Sequence, residues 1–152
     1  MKPELKYQSG VMLLEALIAI LIFSIGILTL IGMQATAIKN TADARYRSEA
    51  ATLAQQIIGQ MWLDRANLGS YDDASGSNYV PRTTWRTAVE STLPGIDIAG
   101  AKRVPSITVD VASNNEVTVI VYWLQPGAAQ DPGCAPNCSN KFQMINRING
   151  PL

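Results

Sequence analysis

VMLLEALIAILIFSIGILTLIGM, residues 11–33, decides how the rest of the chain is read. Only Glu15, Ser24 and Thr29 interrupt it with polar side chains. As a helix the run covers roughly 34 Å at about 1.5 Å per residue, enough to cross a hydrocarbon layer of about 30 Å. Residues 1–10 (MKPELKYQSG) precede it, with Lys2 and Lys6 outnumbering Glu4. Basic residues ahead of an apolar span predict a cytoplasmic N-terminus and an external remainder.

Glu15 is the residue that needs explaining. A carboxylate at the centre of a membrane span costs about 2.5–3.5 kcal/mol on insertion scales. Near the end it costs less, yet it still calls for a partner, and the apolar run holds no Lys or Arg. If the chain is cut after Gly10, Val11 gains a cationic amine one helical turn from Glu15. The carboxylate also suits the positive end of the helix dipole. In a bundle of parallel helices, the amine of one subunit pairs with Glu15 of its neighbour and sets axial register. A secretory signal is the first competing reading, and Ala35-Thr36-Ala37 offers it a cleavage site. Its apolar region is ordinarily about 7–15 residues, shorter than this run. A plain membrane anchor explains the length, but neither Glu15 nor the Ser9-Gly10 step.

The totals narrow the chemistry. The 152 residues suit one domain, and the charges cancel at twelve basic and twelve acidic. A balanced surface releases few counterions, which argues against nucleic acid as a partner. No histidine is present, which removes the commonest general base and most zinc sites. Cys134 and Cys138 are the only cysteines. Without histidine they suit a disulfide rather than zinc, and so an oxidising compartment such as the periplasm. A four-residue step closes a small loop worth only about 2 kcal/mol.

Beyond Met33 the helical period continues. Ala35, Ile38, Ala42, Tyr46, Ala50, Leu53, Ile57 and Met61 recur in steps of three and four. Lys39, Asn40, Asp43, Arg47, Gln55 and Gln56 fall on the other side. One helix is therefore expected from about Met12 to about Ala66, roughly 80 Å by its rise. Gly26, Gly32 and Gly59 read as sites of close helix packing, with local melting as the alternative. Asn67-Leu68-Gly69-Ser70 stops the helix. Residues 69–84 read as a solvated loop, within which Asp72 and Asp73 are weighed as calcium ligands but lack a complete ligand set. Residues 84–93 read as a short helix capped by Thr84 and ended by Pro94-Gly95.

Strands follow at 106–112, 116–124 and 142–148, the first two joined by a tight turn at Ser113-Asn114-Asn115. Trp85, Tyr122 and Trp123 read as core or sheet residues. The fold class is α+β: a small antiparallel sheet resting on the long helix, which supplies the second layer of the core. The expected organisation is a leader at 1–10, a transmembrane helix at 11–33, an amphipathic continuation at 34–66 and an external αβ region at 67–152.

Gly10 followed by VMLLEALIAILIFSIGILTLIGMQATAI resembles the class III signal of type IV prepilins. The resemblance implies cleavage between Gly10 and Val11 by a prepilin peptidase, N-methylation of Val11, and Glu15 as the assembly counter-ion. Val11 stands where the family usually places phenylalanine or methionine, and Gly32 near where major pilins often carry proline. SIGIL, the Gly32–Thr36 stretch and residues 47–62 are most similar to the PilV-type minor pilins, or pilus-modification proteins; the likeness covers about residues 1–66. It implies an inner-membrane protein with an external C-terminal domain that joins other minor and major pilins in priming a pilus, and it implies no cofactor. Pseudopilins of type II secretion systems share the front end and are the alternative. A bitopic enzyme is the third reading, and no histidine, nucleophile motif or phosphate loop speaks for it.

Overall fold

The computed structural model describes residues 9–98, 103–125 and 140–149, with Ser9 and Gly10 described by their backbone alone. The fold is α+β. Helix α1 spans Ser9–Leu63, α2 spans Val80–Thr92, and strands β1 (Ser106–Asp110), β2 (Glu116–Tyr122) and β3 (Lys141–Arg147) form one sheet. Two 3-10 segments, Arg65–Tyr71 and Asp73–Ser75, lie between the helices. The chain divides into two compact units, Met1–Asn40 and Thr41–Leu152.

In the first unit the described residues are helical, and α1 is continuous through Gly26 and Gly32, as it is later through Gly59. A methyl group added at any of these three glycines would meet nothing within 4 Å. The close packing expected there is therefore absent within this chain among the described residues.

The second unit is built on the later part of α1. Ala50, Leu53, Ala54, Ile57, Ile58 and Met61 are buried, and the i, i+3, i+4 spacing explains why one stripe contains them all. They join a core that includes Trp85 and Val89 of α2, Ile107 and Val109 of β1, and Val117, Val119 and Val121 of β2. Burying each such aliphatic side chain contributes about 1.5–3 kcal/mol. The stripe does not continue as expected at its start: Ala35 and Ile38 are exposed. Asp43, assigned to the polar side, instead accepts the indole N–H of Trp123 at 2.9 Å.

Helix α1 ends three residues earlier than expected. Asp64 leaves helical geometry at φ −120°, ψ 45°, because its carboxylate is drawn to three donors: the Asn67 amide at 2.7 Å, the Tyr71 hydroxyl at 3.3 Å and the Tyr79 hydroxyl. Arg65 covers the freed carbonyl of Trp62 at 3.0 Å. The stretch expected to be a loop at 69–84 is largely helical. Helix α2 begins at Val80, not at Thr84, because Pro81 fits the first turn, where no N–H partner is needed. Thr84 is exposed inside the helix rather than capping it.

The sheet is antiparallel in the order β1-β2-β3. Its register sets Ile107 opposite Val119, Val109 opposite Val117 and Val119 opposite Met144, so alternate residues share the core face. Strand β1 stops two residues short of the expectation. The Asp110 carboxylate accepts the N–H groups of Ala112 and Ser113 and the Ser113 hydroxyl, which turns the chain. Val111, which alternates with Ile107 and Val109 in sequence, is 69 % exposed. Asn114 and Asn115 complete the turn at φ 60° and 56°, a region asparagine tolerates. Strand β2 stops at Tyr122, and the next amides are still paired: Trp123 with Asn140 and Leu124 with Pro94.

Gly95 follows Pro94 at φ 78°, and a methyl group there would lie 2.3 Å from Cβ of Leu124. Both the backbone and the space demand glycine. Gly95→Ala should cost about 2–3 kcal/mol from combined strain and overpacking. Urea denaturation followed by tryptophan fluorescence checks this; an unchanged midpoint would show that the loop relaxes freely.

Candidate functional site

Every residue from Val11 to Asn40 is exposed. The large apolar side chains there range from 42 % exposure at Ile27 to 76 % at Met12, so nothing in this chain among the described residues keeps them from solvent. From Val11, α1 is long and apolar enough to cross a membrane. The hydroxyls in this stretch are satisfied within the helix. Ser24 donates to the Ile20 carbonyl at 2.7 Å, Thr29 to that of Gly26 at 2.7 Å and Thr36 to that of Gly32 at 3.2 Å. Bonding back to the preceding turn leaves no stray donor, which an apolar solvent requires.

Glu15 is the exception, the only charged residue between Val11 and Ile38. It borders a shallow apolar hollow with Val11, Leu14, Ile18, Ala19 and Ile22. Val11 and Glu15 are four residues apart and so share a helix face. Among the described residues no cation pairs with Glu15. The peptide bond between Gly10 and Val11 lies in the first turn of α1. The two residues that matter most to the sequence reading are thus placed together on one helix face. Cys134 and Cys138 lie outside the described residues.

Two polar clusters in the second unit escaped sequence reasoning. Asp73, expected in a solvated loop, is half-buried. It pairs with Arg86 at 2.8 Å and Arg82 at 3.6 Å, and accepts the N–H of Ile107 at 3.0 Å. Arg82 is buried and also donates to the carbonyls of Asp72 and Ser77. Desolvation raises the Asp73 pKa, against the opposing pull of the Ile107 amide, Arg86 and Arg82. Asp72 accepts the Ala74 N–H instead. No cluster of three metal-ligating side chains occurs among the described residues. The one available signal was Pro81, which marks a helix start and would have placed Arg82 and Arg86 on one face.

The second cluster joins Asp64 to Tyr71 and Tyr79, whose rings meet edge to face at 4.9 Å. Hydrogen bonds from Tyr79, then Asn67, hold the Asp64 carboxyl below its usual range. Burial first, then the Asp64 charge, pushes the Tyr71 phenol upward; the bond to Asp64 leads the rise at Tyr79. A phenol whose folded pKa exceeds its unfolded value of about 10 stabilises the fold below that pH, and the contribution is lost as pH rises through the folded value. Ultraviolet titration should therefore show Tyr71 and Tyr79 ionising only above pH of about 10, with stability falling there. Normal titration of all tyrosines in the folded protein would contradict the cluster.

The geometry defines a class: an α+β protein with a small antiparallel sheet and a long N-terminal helix whose first part is fit for an apolar medium. Compared with known proteins, the chain matches no family model, no curated protein and no solved structure.

Proposed function

We propose that this chain is a minor subunit of a type IV pilus, made with a basic leader, cleaved by a prepilin peptidase after Gly10 and assembled through α1. The observation that carries the reading is the position of Glu15: the one charged residue of 11–38, one turn past Val11 on α1, with no cation pairing it among the described residues. Hydrolysis of the Gly10–Val11 bond releases an amine at Val11. A free α-amino group carries a positive charge when protonated. A positive charge at the positive end of a helix is unfavourable by itself, and a carboxylate in lipid is costly by itself. Each relieves the other, and between neighbouring subunits the pairing sets their axial stagger. A helix that backs a small sheet fits the same reading, since it leaves the first part of α1 to the membrane and then to the filament core. Val11 in place of a bulky first residue favours a minor rather than a major subunit.

Mass spectrometry of the protein recovered from cells tests this. The mature chain should begin at Val11 and carry an added N-methyl group. Gly10→Leu should retain residues 1–10 in nearly all molecules. A wild-type chain that keeps its first ten residues, or one that begins at Ile38, would defeat the proposal. Deleting the gene separates pilus from secretion pseudopilus: surface pili should be lost while secretion continues.

A further inference from the structure

The two edges of the sheet are treated differently. The ladder bonds from Trp123 to Asn140 and from Ile148 to Asn115 bracket β2 and β3. Antiparallel alternation then turns the backbone groups of Phe142, Met144 and Asn146 toward β2. Those of Lys141, Gln143, Ile145 and Arg147 face outward. By the same alternation Ile107 and Val109 face outward from β1. The Ile107 N–H is taken by Asp73, and both 3-10 segments pack against β1. That edge is closed. Of the outward N–H groups of β3, only that of Arg147 is occupied among the described residues, by the side chain of Asn146 at 2.8 Å. Lys141, Gln143 and Ile145 have exposed side chains, and their outward N–H groups have no partner among the described residues.

Exposed edges are usually protected by charge, bulges or cover. Here the middle of the open edge carries Ile145 at 57 % exposure. We propose that β3 receives an added antiparallel strand from a different protein, one that sets an acidic side chain opposite Lys141 and an apolar one opposite Ile145. Charge identifies the occupant. Arg147 is engaged with Glu116 at 3.2 Å, so Lys141 is the unneutralised charge of this edge. A second copy is a poor occupant. Full two-fold overlap sets Lys141 opposite Arg147, whose charge Glu116 already takes, so neither Lys141 gains an acidic partner. It also needs the Arg147 N–H, which Asn146 already holds. Head-to-tail stacking fails because β1 is closed by Asp73. The sheet can therefore be extended once, by an unlike chain, with main-chain bonds giving affinity and alternate side chains giving selectivity. The inference stands independently of how the N-terminus is processed.

The test uses the full chain in detergent and a capped peptide that alternates valine and threonine and ends in glutamate. Amide hydrogen exchange at Lys141, Gln143 and Ile145 should slow by about tenfold or more at millimolar peptide, with the core amides unchanged. Gln143→Pro removes an outward donor without touching the β2 ladder. It should abolish the protection while the buried tryptophans keep their native fluorescence. If that variant fails to fold, the same peptide N-methylated on its pairing edge replaces it and should protect nothing. A lysine-ended peptide should bind about three-fold more weakly, and Lys141→Glu should reverse that order. No protection, protection elsewhere, or equal binding of both peptides overturns the proposal. So does concentration-dependent protection of this edge without peptide, which would make a second copy the occupant.

Discussion

Glu15→Ala subunits should reach the membrane and lose their leader, yet appear in sheared filaments about 10- to 100-fold less than wild type. The magnitude follows from one charge-assisted contact of about 1.5–3 kcal/mol per subunit. Removing a carboxylate from an apolar helix favours insertion, so the membrane pool should not shrink. That separates an assembly defect from a stability defect. Glu15→Gln keeps a hydrogen-bond acceptor without the charge and should fall between the two. Comparing filament and membrane fractions by immunoblot, with the mature N-terminus checked by mass, reads the result. Normal incorporation of Glu15→Ala would remove the counter-ion role, leaving Glu15 without an explanation.

Asp73→Ala should be the most damaging single change in the second unit, at about 3 kcal/mol. Breaking a buried pair by removing one partner costs about 3–5 kcal/mol, because the other charge is left behind. The lower end applies, since 28 % of the Asp73 side chain is exposed. Arg82 would keep only carbonyl acceptors, and the Ile107 N–H would lose its partner. Against a domain stability of about 5–15 kcal/mol, this is a large share. Asp73→Asn should cost less, because an amide oxygen still accepts the Ile107 N–H. Asp72→Ala removes a single cap bond to Ala74 and should cost about 1 kcal/mol. Burial raises the Asp73 pKa, so the sign for this group alone is clear. The pH-dependent part of its contribution is greatest below the unfolded value near 3.8 and is lost as pH rises through the folded value, while the contacts that Asp73→Ala removes persist above it. Urea unfolding of the three variants, followed by the buried Trp85 and Trp123, orders them. Equal midpoints for wild type and Asp73→Ala would show that the cluster is solvated.

Elements with a strong period were legible. Ala50, Leu53, Ile57 and Met61 repeat at helical spacing and are buried; Ile107, Val109, Val117, Val119 and Val121 alternate and share the core face. Trp85 and Trp123 are core residues as expected, each with its indole N–H satisfied, by the Leu53 carbonyl and by Asp43. Boundaries were less legible, because short polar side chains set them. Asp64 ends α1 and Asp110 ends β1 by capturing nearby donors. In sequence both resemble ordinary surface aspartates.

By itself the sequence determined that residues 11–33 are apolar and long enough as a helix to cross a membrane, that Glu15 stands out there, and that an antiparallel sheet joins a long helix. These follow from side-chain solubility and from periods of 3.6 and 2, which are local properties. Only the tertiary structure decided that Asp73 meets Arg82, Arg86 and the edge of β1, that Asp43 serves Trp123, and that no described residue covers the outer edge of β3. Those outcomes depend on which donors distant segments bring within about 3 Å of one another, and spacing along the chain carries no record of that.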